Sequence, residues 1–271
     1  MKKLQLSVAF LVFVSLVGCT TVSETGRKQF NIVSGDQEMK LGLTSFDQMK
    51  KEVPVSKDAA ANALVQRVGQ KIAAVAELTG AQWEFVVFES KEANAFCLPG
   101  GKVGVYTGIL PITKDEAGLA TVIGHEVAHA VAHHGAERMS QAKVVQGGEK
   151  IVGALSANAT PITQQAVGLA YGLTSQVGVL LPFSRAQESE ADHIGLKYMA
   201  RAGYDPSAAV EFWQRFSEFS GKAGGSSMPA LLRTHPVDSK RIEDLKKWLP
   251  EAQAELGGKT TGAKGSDVIG K

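Results

Sequence analysis

The stretch His125-Glu126-Val127-Ala128-His129-Ala130-Val131-Ala132-His133-His134 holds four of the chain's six histidines within ten residues. On a helix, His125 and His129 stand one turn apart along the axis and about 40° apart around it, so both rings can reach one ion. Glu126 sits beside the pair, where it can reach a water on a zinc ion held by them. By composition, HExxH arises by chance on the order of 0.01 times in a chain this long, which argues against a helix that merely happens to carry histidines. A catalytic zinc needs three protein ligands and an open position. The positions from which the same segment would supply a third histidine, with a glycine before it, hold Gly135 and Ala132. His133 falls on the face of the pair one turn further on and His134 points elsewhere, so both read as supporting or surface residues.

The missing ligand should then be a carboxylate on another helix. Ser184-Arg185-Ala186-Gln187-Glu188-Ser189-Glu190-Ala191-Asp192 supplies it. Glu188 and Asp192 are four apart on one face, so one can bind metal while the other accepts an N–H from a ligand histidine and fixes its tautomer. Glu190 lies on a different side and is expected to be exposed. Spacing alone leaves Glu188 and Glu190 nearly even as ligands.

The chain's 271 residues allow one sizeable domain, and 44% apolar with 21% charged residues is a globular balance. Lys2 and Lys3 account for the excess of 29 basic over 27 acidic residues, so nothing in the charge points to nucleic acid. Those two lysines open a leader at 1–18. Its apolar run, Leu4 to Val17, is too short to span a bilayer comfortably. It ends in Leu16-Val17-Gly18-Cys19, which resembles the bacterial lipobox, whose cysteine takes a lipid and becomes the mature N-terminus. Thr20 follows where an Asp would signal inner-membrane retention. The expectation is an outer-membrane lipoprotein of a Gram-negative bacterium, facing the periplasm and held by acylated Cys19. With Cys19 acylated, Cys97 has no partner for an intrachain disulfide and reads as a buried, inert thiol.

Residues 19–35 read as a polar tether, 36–255 as the working domain and 256–271 as a disordered tail. Within the domain, periodicity predicts helices over Asp36–Lys51 and Ala59–Glu77. Trp83–Phe88 and Val103–Thr107 read as strands of a small antiparallel sheet, with Pro99-Gly100-Gly101 as a turn between them. Thr113 to Glu116 has the form of a capping box, opening a helix that runs to about Ser140 through the histidine-rich stretch. Residues 147–183 are apolar but interrupted, and read as helical packing or a cover, with contact to lipid as the alternative. Further helices follow over Ser184–Ala202, Pro206–Phe219 and Ser239–Leu249. The class is α+β, mainly α.

Four segments in chain order, Asn94–Gly108 (NAFCLPGGKVGVYTG), HEVAH, SRAQESEAD and Thr234–Arg241 (THPVDSKR), resemble the CAAX-prenyl-protease-related zinc metallopeptidases. That group includes the mitochondrial inner-membrane stress protease and bacterial periplasmic quality-control proteases such as the β-barrel assembly-enhancing protease. The likeness covers about residues 30–250 and implies a zincin-like fold with one zinc ion per chain. It makes Glu188 the third ligand beside His125 and His129, with Asp192 supporting a ligand histidine. It gives Glu126 the role of general base, and His235 and Arg241 that of oxyanion stabilisers, with His235 also able to swing onto the zinc as a blocking ligand. The segment around Gly101, Val103, Gly104 and Val105 corresponds to the family's edge strand, against which an extended substrate adds as another strand. Cys97 departs from the small apolar residue common at its place.

The implied function is a zinc metalloendopeptidase that cleaves misfolded or unassembled proteins at the periplasmic face of the outer membrane. The rival is a chaperone-like module that binds unfolded outer-membrane proteins, with a latent, histidine-gated zinc site. Expected partners are unfolded substrates, outer-membrane lipid through Cys19 and the outer-membrane assembly machinery.

Overall fold

The computed structural model describes residues 19–175, 181–222, 229–236 and 238–256. The expected leader and the tail from Gly257 lie outside them. In chain order the elements are β1 (Cys19–Thr21), β2 (Lys28–Phe30), α1 (Gly35–Glu52), α2 (Ala59–Ala73), β3 (Glu84–Phe88), β4 (Ala95–Leu98), β5 (Lys102–Tyr106), α3 (Leu110–Thr113), α4 (Glu116–Val131), α5 (His134–Ser156), α6 (Pro161–Ser175), α7 (Leu181–Arg201), α8 (Ser207–Lys222), α9 (Ala230–Thr234) and α10 (Ser239–Ala254). A one-turn 3-10 helix joins β5 to α3. The mainly helical α+β class holds. Two units pack within the chain, one from 39–132 and 188–271, the other from 1–38 and 133–187.

In the first unit, α4 is buried without interruption from Gly118 to Val131. Its apolar residues face every direction, which makes it a core helix rather than an amphipathic surface one. It packs against α2, α3, α8 and β4. The capping box expected from Thr113 does not form. The Thr113 hydroxyl donates to the Leu110 carbonyl at 2.9 Å and closes α3, while Asp115 caps α4, accepting from the Gly118 amide at 2.8 Å. Glu116 is instead taken by Arg67, whose Nε donates to it at 2.7 Å.

Helix α7 crosses α4 where neither helix has a side chain. A Cβ on Gly195 would stand 3.1 Å from the His125 amide nitrogen, and one on Gly124 would stand 3.2 Å from the Gly195 carbonyl oxygen. This close approach of two backbones is what brings carboxylates on α7 within reach of histidines on α4.

The sheet has the order β3-β5-β4, with β3 parallel and β4 antiparallel to β5. It is therefore mixed rather than wholly antiparallel, and β5, expected at the edge, is central. Val103 and Val105 are fully buried, and a strand with no wet face belongs in the middle of a sheet. The outer edge of β3 is closed by the chain around Val55: the Ser56 amide donates to Val87 at 2.8 Å and the Glu89 amide to Pro54 at 2.7 Å. The outer edge of β4 carries no strand partner among the described residues.

In the second unit, the segment expected as a tether is a β-hairpin, β1 pairing antiparallel with β2 from Cys19–Phe30 to Thr21–Lys28. Arg27 anchors it with a two-pronged bond to Glu137 on α5, at 3.0 and 2.8 Å. The Ile32 amide donates to the Ser140 hydroxyl at 3.0 Å. The helix expected to run on to Ser140 breaks after Val131. His133 takes a left-handed conformation (φ 53°) and its Nδ1 lies 2.7 Å from the buried Glu38 carboxylate, after which α5 begins. No glycine or proline marks the break, because a contact remote in sequence makes it. Helices α5 and α6 form a hairpin, clasped where the Tyr171 hydroxyl donates to the Val145 carbonyl at 2.9 Å.

Candidate metal centre

Four buried side chains converge within the first unit: His125 and His129 from α4, Glu188 from α7, and His235 from the residue after α9. One donor atom from each lies within 4.8 Å of all the others. The Nε2 atoms of His125 and His129 are 3.1 Å apart. Glu188 places Oε2 at 3.3 Å from His125 Nε2 and Oε1 at 3.3 Å from His129 Nε2. Four atoms set tetrahedrally at 2.0–2.1 Å from a common centre are separated by about 3.3 Å, so the spacing fits a four-coordinate divalent ion with nitrogen and oxygen ligands. The same chemistry explains two buried oxygens, Glu126 Oε1 and Glu188 Oε1, that find no hydrogen-bond partner among the described residues.

The supports of the ligands are equally specific. His125 Nδ1 donates to Asp192 Oδ1 at 2.9 Å, which leaves the Nε2 lone pair facing the centre. Asp192 is in turn held by Arg241, through Nε at 2.6 Å and Nη2 at 2.8 Å. Arg241 Nη1 donates to the carbonyls of His235 and Pro236, both at 3.3 Å, and its guanidinium lies 3.6 Å above the Trp213 ring. The Trp213 ring also meets His125 edge-on at 5.5 Å. Asp238 caps α10 by accepting from the Arg241 amide at 2.8 Å, which fixes where this arginine starts.

Burial opposes charge at each of these groups, and the partners outweigh it. Asp192 and Glu188 raise His125 to about 9 against its burial. Glu188 is held well below the usual carboxylate range by His129, His125 and His235 despite its burial. Asp192 is lowered in the same way by Arg241 and His125. Cys97, expected to be buried, is half-buried; desolvation, with some help from the Glu126 charge, still pushes its thiol up, which suits an inert sulfur.

Against the sequence reading, His125, Glu126, His129, Glu188 and Asp192 come together as expected, with Glu188 and not Glu190 at the donors. Glu190 is buried rather than exposed, because α7 from Gln187 onward is covered on nearly every side. His133 and His134 stay outside the donor set. His134 is fully buried and His133 is pinned to Glu38.

Two expectations need correction, for Arg241 and for the strand-adding surface. Arg241 is not a free oxyanion donor: its N–H groups go to Asp192 and two carbonyls. Of the two roles expected for His235, its place among the donors fits that of the blocking ligand: Nδ1 lies 2.7 Å from Glu188 Oε2 and 3.1 Å from His125 Nε2, while Nε2 lies 3.5 Å from Glu126 Oε1. The strand-adding surface expected at Gly101, Val103, Gly104 and Val105 is paired on both sides. Gly104 is small because the Phe96 and Phe88 rings lie over it, and Gly101 serves the turn (φ 76°) beneath Trp83. Trp213 was not anticipated. A tryptophan on the apolar face of a predicted helix reads as ordinary core, and only its contact with Arg241 sets it apart.

The model of peptidase family M48 matches residues 59–249, a span that contains the whole centre. Over 234 residues the chain is 38% identical to the mitochondrial metalloendopeptidase OMA1 of Schizosaccharomyces pombe, a match covering 85% of this chain and 66% of that protein. Over 219 residues it is 29% identical to the beta-barrel assembly-enhancing protease of Yersinia pestis, covering 79% of this chain and 44% of that one. The chain thus spans between 44% and 66% of the length of these two relatives. With the family model over most of the chain and two imidazoles and a carboxylate meeting where that family's motifs require, this chain belongs to peptidase family M48.

Proposed function

We propose that the chain is a zinc-dependent metalloendopeptidase that cleaves misfolded or unassembled proteins at the periplasmic face of the outer membrane. The observation that carries the reading is the convergence of His125, His129 and Glu188 around one point, with the unpartnered Glu126 Oε1 beside it. Zinc held there supplies Lewis acidity, acidifying water and polarising a scissile carbonyl. Glu126 accepts the proton of the attacking water at Oε1 and returns it to the leaving amine. Asp192 keeps His125 in the tautomer that presents Nε2, and Arg241 with Trp213 keeps Asp192 in place. An extended substrate is best received by the outer edge of β4, which lies against α4 and offers unpaired backbone groups, in place of the paired β5. The printed names of the relatives support protein substrates and quality control. The lipobox-like Leu16–Cys19 supports the membrane face.

Glu126→Gln is the test. The variant should keep its fold and bind zinc as the wild type does, yet lose hydrolysis of denatured casein by at least about a hundredfold. Hydrolysis at the wild-type rate would end the general-base assignment.

His235 in the donor set favours a second reading, a binder of unfolded outer-membrane proteins whose zinc is closed by a fourth ligand. His235→Ala separates the two. Under the latent reading it opens the ion and raises casein cleavage from near zero, whereas an enzyme already open either loses activity or keeps it.

A further inference from the structure

The α5–α6 hairpin lies outside the peptidase reading. From Ile151 to Ser184 the sequence has no charged side chain, in a chain that is 21% charged. Much of its described part is exposed. Leu155 and Ile162 are 82% and 81% accessible, Ile151 and Leu169 both 62%. Every residue from 161 to 170 on α6 is exposed. A 15-residue helix, uncharged and open to solvent over two thirds of its length, has no ion pairs of its own and is held to α5 only near its Tyr171–Ser175 end. It needs a cover.

We propose that this cover is a lipid surface, and that the tip of the hairpin dips into the interfacial layer of a membrane. The exposed side chains are aliphatic, and the tip lacks the Arg and Trp that mark protein interfaces. No helix among the described residues is long and apolar enough to cross a membrane, so the contact lies on the bilayer and does not span it. From Ile151 to the end of α5 the helix extends about 9 Å, which matches the roughly 5–10 Å that an interfacial helix buries. Just behind the tip, Lys143 and Lys150 are exposed on α5 with Glu149 between them, where ammonium groups meet lipid phosphates. Cys19, the residue read as the acyl carrier, belongs to the same unit as the hairpin.

The test uses the full chain reconstituted in vesicles of phosphatidylethanolamine and phosphatidylglycerol, with and without lipids brominated along the acyl chain. Leu155→Trp and Ile162→Trp report on the tip, and Leu41→Trp, at an exposed position on α1, is the reference. Trp83, Trp213 and Trp248 give the same background in all three. The two tip variants should emit to the blue of the reference and be quenched by the brominated lipid at least twofold more strongly. Quenching no greater than for Leu41→Trp overturns the proposal. So does a blue shift that excess denatured casein abolishes, which assigns the face to a polypeptide, or one that rises with protein concentration at fixed lipid, which assigns it to a second copy.

Discussion

Arg241 shows how a charged residue can support the candidate metal centre through a neighbouring carboxylate. Its planar fork fits the Asp192 carboxylate, its remaining donors meet two carbonyls, and its face rests on Trp213. A lysine keeps the charge but has neither the fork nor the flat face. Arg241→Lys is therefore expected to weaken zinc binding by about 10- to 100-fold, read by competition with a chromophoric chelator. If the residue instead stabilised an oxyanion, kcat would fall while zinc affinity stayed unchanged. His133 makes a different kind of prediction. Glu38 raises its pKa above the ordinary 6.5, so its stabilising contribution is complete below that value and fades as pH rises through the raised one. His133→Asn, which tolerates the left-handed backbone, should melt below the wild type at about pH 6, with a gap that narrows as pH rises. A gap that widens with rising pH would reverse the sign and refute the pairing.

Among the elements, the crossing of α4 and α7 does most to set the ligand geometry. At Gly195 the atoms that an added Cβ would meet are the backbone of α4, which cannot rotate away. Gly195→Ala should cost about 1–3 kcal/mol of stability, measured by denaturant unfolding, and should loosen metal binding because the displaced helix carries Glu188. An unchanged midpoint would mean that the helices have slack. The ligand helix was legible in the sequence because HExxH and the Glu188–Asp192 spacing are local patterns, readable from one turn of helix. The centrality of β5 was not: a strand's neighbours are chosen by pairing across the sheet, and VGVYT reads the same at an edge or in the middle. The end of α4 escaped for a similar reason, since Glu38, remote in sequence, fixes the left-handed turn at His133. Arg241 was expected to stabilise an oxyanion, because neither Asp192 nor Trp213 is near it in sequence.

At the scale of the whole molecule, a bound ion should act as a structural clasp as well as a reagent. An ion present at about a thousand times its dissociation constant adds about 4 kcal/mol to the folded state. Stripping it with a chelator should lower the melting temperature by on the order of 10 °C, and restoring zinc should recover it. An unaltered melt would show that the donors are held wholly by the protein. The class and the candidate ligands His125 and His129 could be read from sequence, and Glu188 only through the family resemblance, whereas the division of the chain into two interleaved stretches could not, because each unit closes only when distant segments return to it. His125 and His235 are 110 residues apart, and Glu188 and His235 are 47 apart. Under the proposed function, a chain still emerging from its synthesis holds His125 and His129 long before Glu188 and Arg241 follow. It should gain the power to cut only once these later segments have come home.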